Sequence, residues 1–307
     1  MKFSIVYFIM VPAFLSKGDT VAVVATAKVF DHQEVRNGIE VLRSWGLIVK
    51  EGEFLYEQDH YYAGTDVQRL SDLQKMFDDS SVKAIVFARG GYGTSRILDK
   101  LNFTKFSKKP KWLIGFSDLT ILHSEVLKRG IASIHGNMCL QLAKPEFATS
   151  VQALKETLAG KMSALTAPYH STNRRGKAKG IVVGGNLTLL IHALGTSSDV
   201  DWKGKILFLE EIGESLYHLD RMLLHLKRCE KLKNLAGLVL GQFSDMKDTT
   251  PPFGKTVEEI IFEHVASYKF PVAFGFPCGH EAPNMPLVLG GRYSLTVDQE
   301  SFLYFES

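Results

Sequence analysis

The sequence predicts an α/β protein, with an N-terminal open parallel sheet flanked by helices and a second α/β domain at the C-terminus that holds a mixed sheet. Three observations carry this. From Thr20 onward, apolar runs of strand length alternate with segments of helical period, the pattern of a parallel sheet covered by helices. The alternation breaks over 165–180 (LTAPYHSTNRRGKAKG), a polar stretch with Pro168 and Gly176 that reads as a linker. It then restarts and ends in two short alternating segments around Asp298-Gln299, which read as a β-hairpin and supply the antiparallel part of the second sheet. The expected organisation is a first domain over 1–164, a linker over 165–180 and a second domain over 181–307.

The elements follow in order. TVAVVA (20–25) is the first strand, and the next segment places Val35, Ile39, Leu42 and Trp45 on one side of a helix that stops at Gly46, a suitable left-handed terminal residue. LIVK, VKAIVF, WLIGF and IASI read as strands. Between them, Val67, Leu70, Leu73, Met76 and Phe77 recur at helical spacing, and 119–128 forms an amphipathic helix closed by Gly130. In the second half, GIVVGG is a strand, and NLTLLIHALG is a helix between an Asn186 N-cap and a Gly195 stop. KILFLE is a strand, followed by a helix burying Leu216, Leu219, Leu223 and Leu226. LAGLVLGQF is a strand, 255–268 a helix, PVAF a strand, and RYSLTVDQESFLYFE the hairpin. No internal repeat or low-complexity tract interrupts the series.

Composition narrows the function classes. The 307 residues are 45% hydrophobic and 22% charged, with a net charge of +3. These are values of an ordinary folded chain, and the spread of basic residues leaves no nucleic-acid or membrane footprint. The partner expected is a small molecule or peptide. Arg174, Arg175, Lys177 and Lys179 read as a solvated linker run. The three cysteines, Cys139, Cys229 and Cys278, are an odd number at wide spacing, which argues against a disulfide framework and a cysteine zinc site and for a reducing compartment. No cofactor or metal is expected. Lys2 and the apolar run 3–11 imitate the start of a signal peptide. The run is about nine residues, short for that role, and leads into Pro12 without a clear cleavage pattern. A packed N-terminal arm or a misassigned start codon is the plainer reading.

In KWLIGFSDLTILH (111–123), a buried strand ends in Gly-Phe-Ser-Asp and turns at once into a helix. A serine there reads first as an N-cap, a task Asp118 performs equally well. Ser117, however, leaves its strand at the carboxyl edge, where open α/β sheets place ligands. A sharp strand-to-helix turn also exposes a hydroxyl and supplies the following N–H for an oxyanion. G-x-S-x-G is absent, since Leu119 stands at its second glycine. A serine nucleophile needs a base held by a third group. His218, His225, His192 and His264 lie on helices and read as structural or solvated. His280 lies in FPCGHEAPNMP (276–286), a Pro/Gly/Asn loop of the kind that carries function on a rigid scaffold; Cys278 is a weaker nucleophile candidate. The orienting carboxylate comes from ILFLEE, where alternation puts Glu210 and Glu211 on opposite faces. Glu210 is preferred, with Glu211 close behind, and Glu214 reads as an N-terminal helix charge. ARGGYGTSR (88–96) follows a strand and opens a helix, but its third fingerprint position is Arg96, so it is weak as a dinucleotide motif. Its N–H groups suit an oxyanion hole, and Arg89 and Arg96 are candidates to meet a substrate carboxylate.

Four of these stretches, ARGGYG (88–93), LIGFSD (113–118), LFLEE (207–211) and GFPCGHEAPNMPLVLG (275–290), together resemble the LD-carboxypeptidases, serine peptidases that include the microcin C self-immunity hydrolases. PAFLSKGDTVAVVA (12–25) and GGNLTLL (184–190) extend the likeness over nearly the whole chain. The resemblance implies two domains with the site between them, Ser117 as nucleophile, His280 as general base and then acid, and Glu210 as its orienting group. It also implies an oxyanion hole from the N–H groups of Gly91 and Asp118, and substrate contacts at Arg89, Gly90 and Tyr92. The implied activity is release of the terminal D-alanine from murein tetrapeptides in the cytoplasm, by a homodimer. The alternatives are a hydrolase of aminoacyl-nucleotide antibiotics and a non-catalytic nucleotide- or peptide-binding module. Two departures bear on specificity: Ala25-Thr26-Ala27 stands where many members have Ala-Pro-Ser, and His135-Gly136-Asn137 where many have His-Gly-Pro.

Overall fold

The computed structural model describes residues 9–306. Most of the apolar N-terminal run, 3–8, lies outside the described residues. Where description begins, Met10 exchanges backbone hydrogen bonds with Gly130 (2.7 Å) and Ala132 (2.9 Å).

In chain order the first part comprises β1 (Thr20–Val24), α1 (His32–Ser44), β2 (Ile48–Glu51), α2 (Asp66–Asp78), β3 (Val82–Phe87), α3 (Thr94–Leu98), α4 (Thr104–Lys108), β4 (Trp112–Gly115), α5 (Thr120–Lys128), β5 (Ser133–His135) and α6 (Ala148–Leu158). The second comprises β6 (Leu165–Ala167), β7 (Gly176–Asn186), α7 (Leu187–Ala193), β8 (Ile206–Ile212), α8 (Leu216–Arg228), β9 (Gly237–Ser244), α9 (Val257–Val265), β10 (Val272–Ala273), β11 (Leu287–Leu289), β12 (Arg292–Val297) and β13 (Ser301–Glu306). Two sheets result, a six-stranded one in the order β11-β5-β4-β3-β1-β2 and a seven-stranded one in the order β10-β9-β8-β7-β12-β13-β6. β1 to β5 run parallel, with β11 antiparallel on β5. In the second sheet β7 to β10 are parallel and β12, β13 and β6 antiparallel, which makes it mixed as expected.

Local chemistry explains the helix starts. Asp31 accepts the Gln33 N–H at 2.7 Å, and Thr65 and Gln68 form a capping box. Asn186 accepts the Leu189 N–H, as its N-cap reading requires. α2 turns Leu73, Met76 and Phe77 inward, but Val67, expected on that face, is 74% exposed. α5 differs more. It was expected to be amphipathic, yet Thr120 through Leu127 are all buried, because it packs against β5 on one side and against β7 and α7 on the other. Its polar groups are satisfied internally: His123 bonds Ser133 Oγ (2.9 Å) and the Gly115 carbonyl (2.8 Å), and Glu125 accepts from Arg129 and Ser198.

The segment 165–180, expected as a linker, carries β6 and the start of β7. Their backbones join the ladder of the terminal hairpin, which accommodates polar side chains on its solvent face. Lys177 and Lys179 project to solvent there. Arg174 is not solvated: it donates to the carbonyls of Val265 (3.1 Å) and Tyr268 (2.7 Å) at the end of α9, where a cation is favoured.

Leu122 has no exposed surface at the centre of α5. Leu122→Ala is expected to lower stability by about 3 kcal/mol, measured by urea unfolding.

Candidate active site

The site assembles at the carboxyl ends of β3, β4 and β8. β4 is buried throughout, and the chain leaves it through Phe116 into Ser117, whose φ of +61° lies in the left-handed region. A non-glycine residue held there costs roughly 1 kcal/mol, a cost the surrounding packing offsets. The Ser117 hydroxyl caps no helix; the short helical turn it opens has no side-chain cap. The Asp118 side chain is buried and accepts the Thr94 N–H at 2.9 Å, which ties the start of α3 to the corner. Burial pushes that carboxyl's pKa up.

The hydroxyl faces His280. Ser117 Oγ is 3.1 Å from His280 Nε2, and His280 Nδ1 is 2.7 Å from Glu210 Oε2. With a carboxylate accepting at Nδ1, that nitrogen carries the proton and Nε2 accepts from the serine. The His280 loop is pinned: Gly279 N–H donates to Asn284 Oδ1 (3.0 Å), Glu281 N–H to Gln242 Oε1 (2.8 Å) and Met285 N–H to the Pro277 carbonyl (2.8 Å). The Phe116 ring meets the imidazole edge-on at 4.8 Å. Glu210 is fully buried at the end of β8, where only a partner makes a charge tolerable. Glu211 points to the opposite face. It accepts from Asn186 Nδ2 (2.8 Å), Thr188 N–H (2.7 Å) and Ile212 N–H (2.9 Å), so its carboxylate anchors the start of α7.

The glycine-rich turn passes over the serine. A Cβ on Gly90 would stand 3.2 Å from Ser117 Cβ and 3.5 Å from its Oγ; one on Gly91, at φ +108°, would stand 2.6 Å from Lys28 Cβ. Neither position accepts a larger residue without displacement. The N–H groups of Gly91 and Asp118 donate to no protein acceptor among the described residues. The Arg89 guanidinium donates to the Val29 carbonyl at 3.0 Å. Tyr92 is exposed at the rim, with its ring against Tyr62. Arg96 is turned outward in a two-pronged ion pair with Asp66. The structure thus brings Ser117, His280, Glu210, Gly90 and Gly91 together, leaves Arg89 and Tyr92 at the margin, and removes Arg96.

The other candidates are placed elsewhere. His218 pairs with Glu214, His264 with Asp220, and His225 lies near Cys229; His192 is exposed. Cys278 is buried, and burial pushes its thiol pKa up, the opposite of an activated nucleophile. His135 was not among the candidates. It ends β5 with no exposed surface, 5.4 Å from the Phe116 ring and 5.0 Å from Phe208. Its ring nitrogens lack partners among the described residues. Burial drives its pKa well below the usual value, so it stays neutral and adds no charge beside His280. Its place at a strand's carboxyl end was the available signal. No cluster of metal-ligating side chains occurs among the described residues, nor any helix long and apolar enough to cross a membrane.

An alcohol, an imidazole and a buried carboxylate in this series can remove the hydroxyl proton during attack on a carbonyl and return it to a leaving amine. Backbone N–H groups over the serine can stabilise the oxyanion.

Comparison with known proteins agrees with that chemistry. Residues 21–136 match the model of the LD-carboxypeptidase N-terminal domain and 179–295 that of the LD-carboxypeptidase C-terminal domain. The chain is 35% identical over 300 residues to a probable murein peptide carboxypeptidase of Bacillus subtilis, covering 94% of this chain and 92% of that one. The crystal structure of muramoyltetrapeptide carboxypeptidase from Oxalobacter formigenes superposes with a TM-score of 0.85 at 29% identity, over 94% of this chain and 99% of that one. The microcin C7 self immunity protein MccF, in complex with aspartyl sulfamoyl adenosine, shares the fold at a TM-score of 0.87 and 21% identity, over 97% and 99% of the two chains.

The buried histidines set an acid limit. Burial lowers the His123 pKa from the usual 6.5 to about 4. The unfolded chain takes up that proton near pH 6.5 and the folded chain only near pH 4, so the stabilisation is complete above about 6.5 and is lost as pH falls through that window. Its size is about 3 kcal/mol. Urea unfolding at pH 5 and pH 7.5 is expected to show a smaller gap between the two pH values in His123→Phe than in the wild type.

Proposed function

Since the chain belongs to the LD-carboxypeptidase family, we propose that it releases the terminal D-alanine from murein tetrapeptides by a serine-peptidase mechanism. Ser117 attacks the carbonyl at the L-centre of the diamino acid while His280 Nε2 takes the hydroxyl proton. Glu210 holds the imidazole and balances the charge it acquires. The oxyanion rests on the N–H groups of Gly91 and Asp118. His280 then protonates the departing D-alanine amine, and a water activated by the same imidazole resolves the acyl-enzyme. Arg89, Gly90 and Tyr92 contact the peptide on the way in.

The observation that supports this reading is the continuous series from Ser117 through His280 to a fully buried Glu210, at 3.1 and 2.7 Å, beneath a glycine turn. In the same reading the chain divides into a unit over 1–164 that carries the nucleophile and one over 181–307 that carries the acid and the base. We place the reaction in the cytoplasm, in keeping with three free thiols, and take the assembly to be a homodimer, as the family resemblance implies. The likeness to the microcin immunity protein, at 21% identity, speaks for the fold, so hydrolysis of aminoacyl nucleotides is kept as the second substrate to assay.

Mass spectrometry of a murein tetrapeptide incubated with the protein is expected to show loss of one alanine with wild type and none with Ser117→Ala. Loss with both proteins removes Ser117 from the reaction, and loss with neither moves the assay to aminoacyl nucleotides and then to a binding module. The two adjacent glutamates separate kinetically. Glu210→Gln is expected to cut kcat by about a thousand-fold or more with KM little changed, whereas Glu211→Gln keeps most of kcat and lowers the unfolding midpoint.

A further inference from the structure

We infer that Lys28 is the specificity-determining residue for the free C-terminal carboxylate of the substrate, its ammonium, held beside the Tyr61 ring, pairing with that carboxylate next to the glycine turn. The inference rests on the carboxypeptidase reading above and goes beyond it by naming the group that distinguishes a chain end from a continuing peptide.

Placement comes first. Lys28 lies just beyond the carboxyl end of β1, in the layer of strand ends that also holds Ser117. Its N–H donates to the Gly90 carbonyl at 3.3 Å, and the N–H of Val29 donates to the Tyr61 carbonyl at 3.0 Å. The lysine stem runs directly past Gly91, where an added Cβ would meet Lys28 Cβ at 2.6 Å, Lys28 Cδ at 3.4 Å and the Tyr61 hydroxyl at 3.4 Å. The preceding residue of the turn, Gly90, lies against Ser117 Oγ. Two consecutive glycines therefore link the nucleophile to the lysine. In a peptide, the carboxylate carbon of a C-terminal residue lies only about 3–4 Å from the carbonyl carbon that the nucleophile attacks, so a carbonyl at Ser117 places that carboxylate close to the serine, where the glycine turn passes.

Charge selects the residue. Arg69 and Arg96 are committed to the protein, Arg69 to the carbonyls of Thr26, Gly64 and Gly93 and to Asp66, and Arg96 to Asp66, whereas Arg89 is tethered by one bond from its guanidinium to the Val29 carbonyl and keeps donors for the peptide backbone. Among the described residues Lys28 forms no ion pair and donates no side-chain hydrogen bond. Its ammonium stands 5.2 Å from the centre of the half-exposed Tyr61 ring. A ring face holds a cation weakly at an exposed site and leaves its three donors free for an anion. Thr26, in the Ala-Thr-Ala departure just before it, turns inward to bond the Thr94 hydroxyl at 2.8 Å. That leaves Lys28 as the residue of this strand end that presents charge to the opening.

The chemistry follows. An enzyme that removes one terminal residue must reject internal bonds, and a cation beside the leaving residue does so from both sides: it pairs with a terminal carboxylate, and it is left unpaired by an amide or by continuing chain.

The test compares a murein tetrapeptide ending in free D-alanine with the same peptide as its C-terminal amide, using the full-length wild type, Lys28→Met and Lys28→Arg. The expected result is a fall of about 10- to 100-fold in the acid-to-amide ratio of kcat/KM for Lys28→Met, carried by KM, with most of it recovered in Lys28→Arg. An unchanged ratio in Lys28→Met, or an equal loss on acid and amide, overturns the inference while leaving the carboxypeptidase reading intact. A wild type that releases nothing from either peptide overturns both.

Discussion

A carboxylate with no exposed surface at the end of an apolar strand is the constraint from which the site follows. Glu210 sits where β8 finishes a run of Ile206, Leu207, Phe208 and Leu209, and a charge in that setting is tenable only with a partner of good geometry. The partner is His280, seventy residues further on, at 2.7 Å. The loop that delivers it is accordingly held by its own bonds to Asn284, Gln242 and Pro277 rather than by the glutamate alone. Because the carboxylate fixes the Nδ1 side of the ring, the Nε2 side is aimed, and it meets the Ser117 hydroxyl.

The serine is placed by a different set of forces. β4 and α5 from Thr120 through Leu127 are buried, so the turn between them has little freedom to relax, and the positive φ of Ser117 is retained. Asp118 contributes by binding the start of α3, which holds the glycine turn above the hydroxyl. Nucleophile and acid thus come from separate sheets, with the base on the loop that passes from one to the other, and the 3.1 Å contact of Ser117 with His280 depends on the packing of α5 against β7 and α7.

Much of this was legible in the sequence, and the exceptions share a cause. Strands such as VKAIVF and ILFLEE announce themselves by unbroken apolar content, and Ser117 and His280 by their places at a strand end and in a Pro/Gly loop. β6 and β11 have three residues each, too few for a period, and exist because a distant strand pairs with them. α5 read as amphipathic because its polar residues carry no mark of the internal partners that let them be buried. The choice between Glu210 and Glu211 was beyond alternation, which only sends them to opposite faces; which face holds the histidine is decided by tertiary structure. Lys28 and Tyr61 lie over thirty positions apart in unremarkable contexts and meet only through the folding of the loop after β1.

The antiparallel strand β11 ties the two sheets together in a way their helices do not. Immediately after the loop that presents His280, the chain crosses to the first sheet and pairs Leu287, Val288 and Leu289 with His135, Ile134 and Ser133. The first sheet therefore takes its outermost strand on this side, the one that covers β5, from a segment synthesised near the end of the chain, and a growing polypeptide that has emerged only as far as β10 exposes β5 as an open edge. Acquisition of the base and closure of that edge are one event, so the nucleophile-bearing half stays without its base until the chain is almost complete.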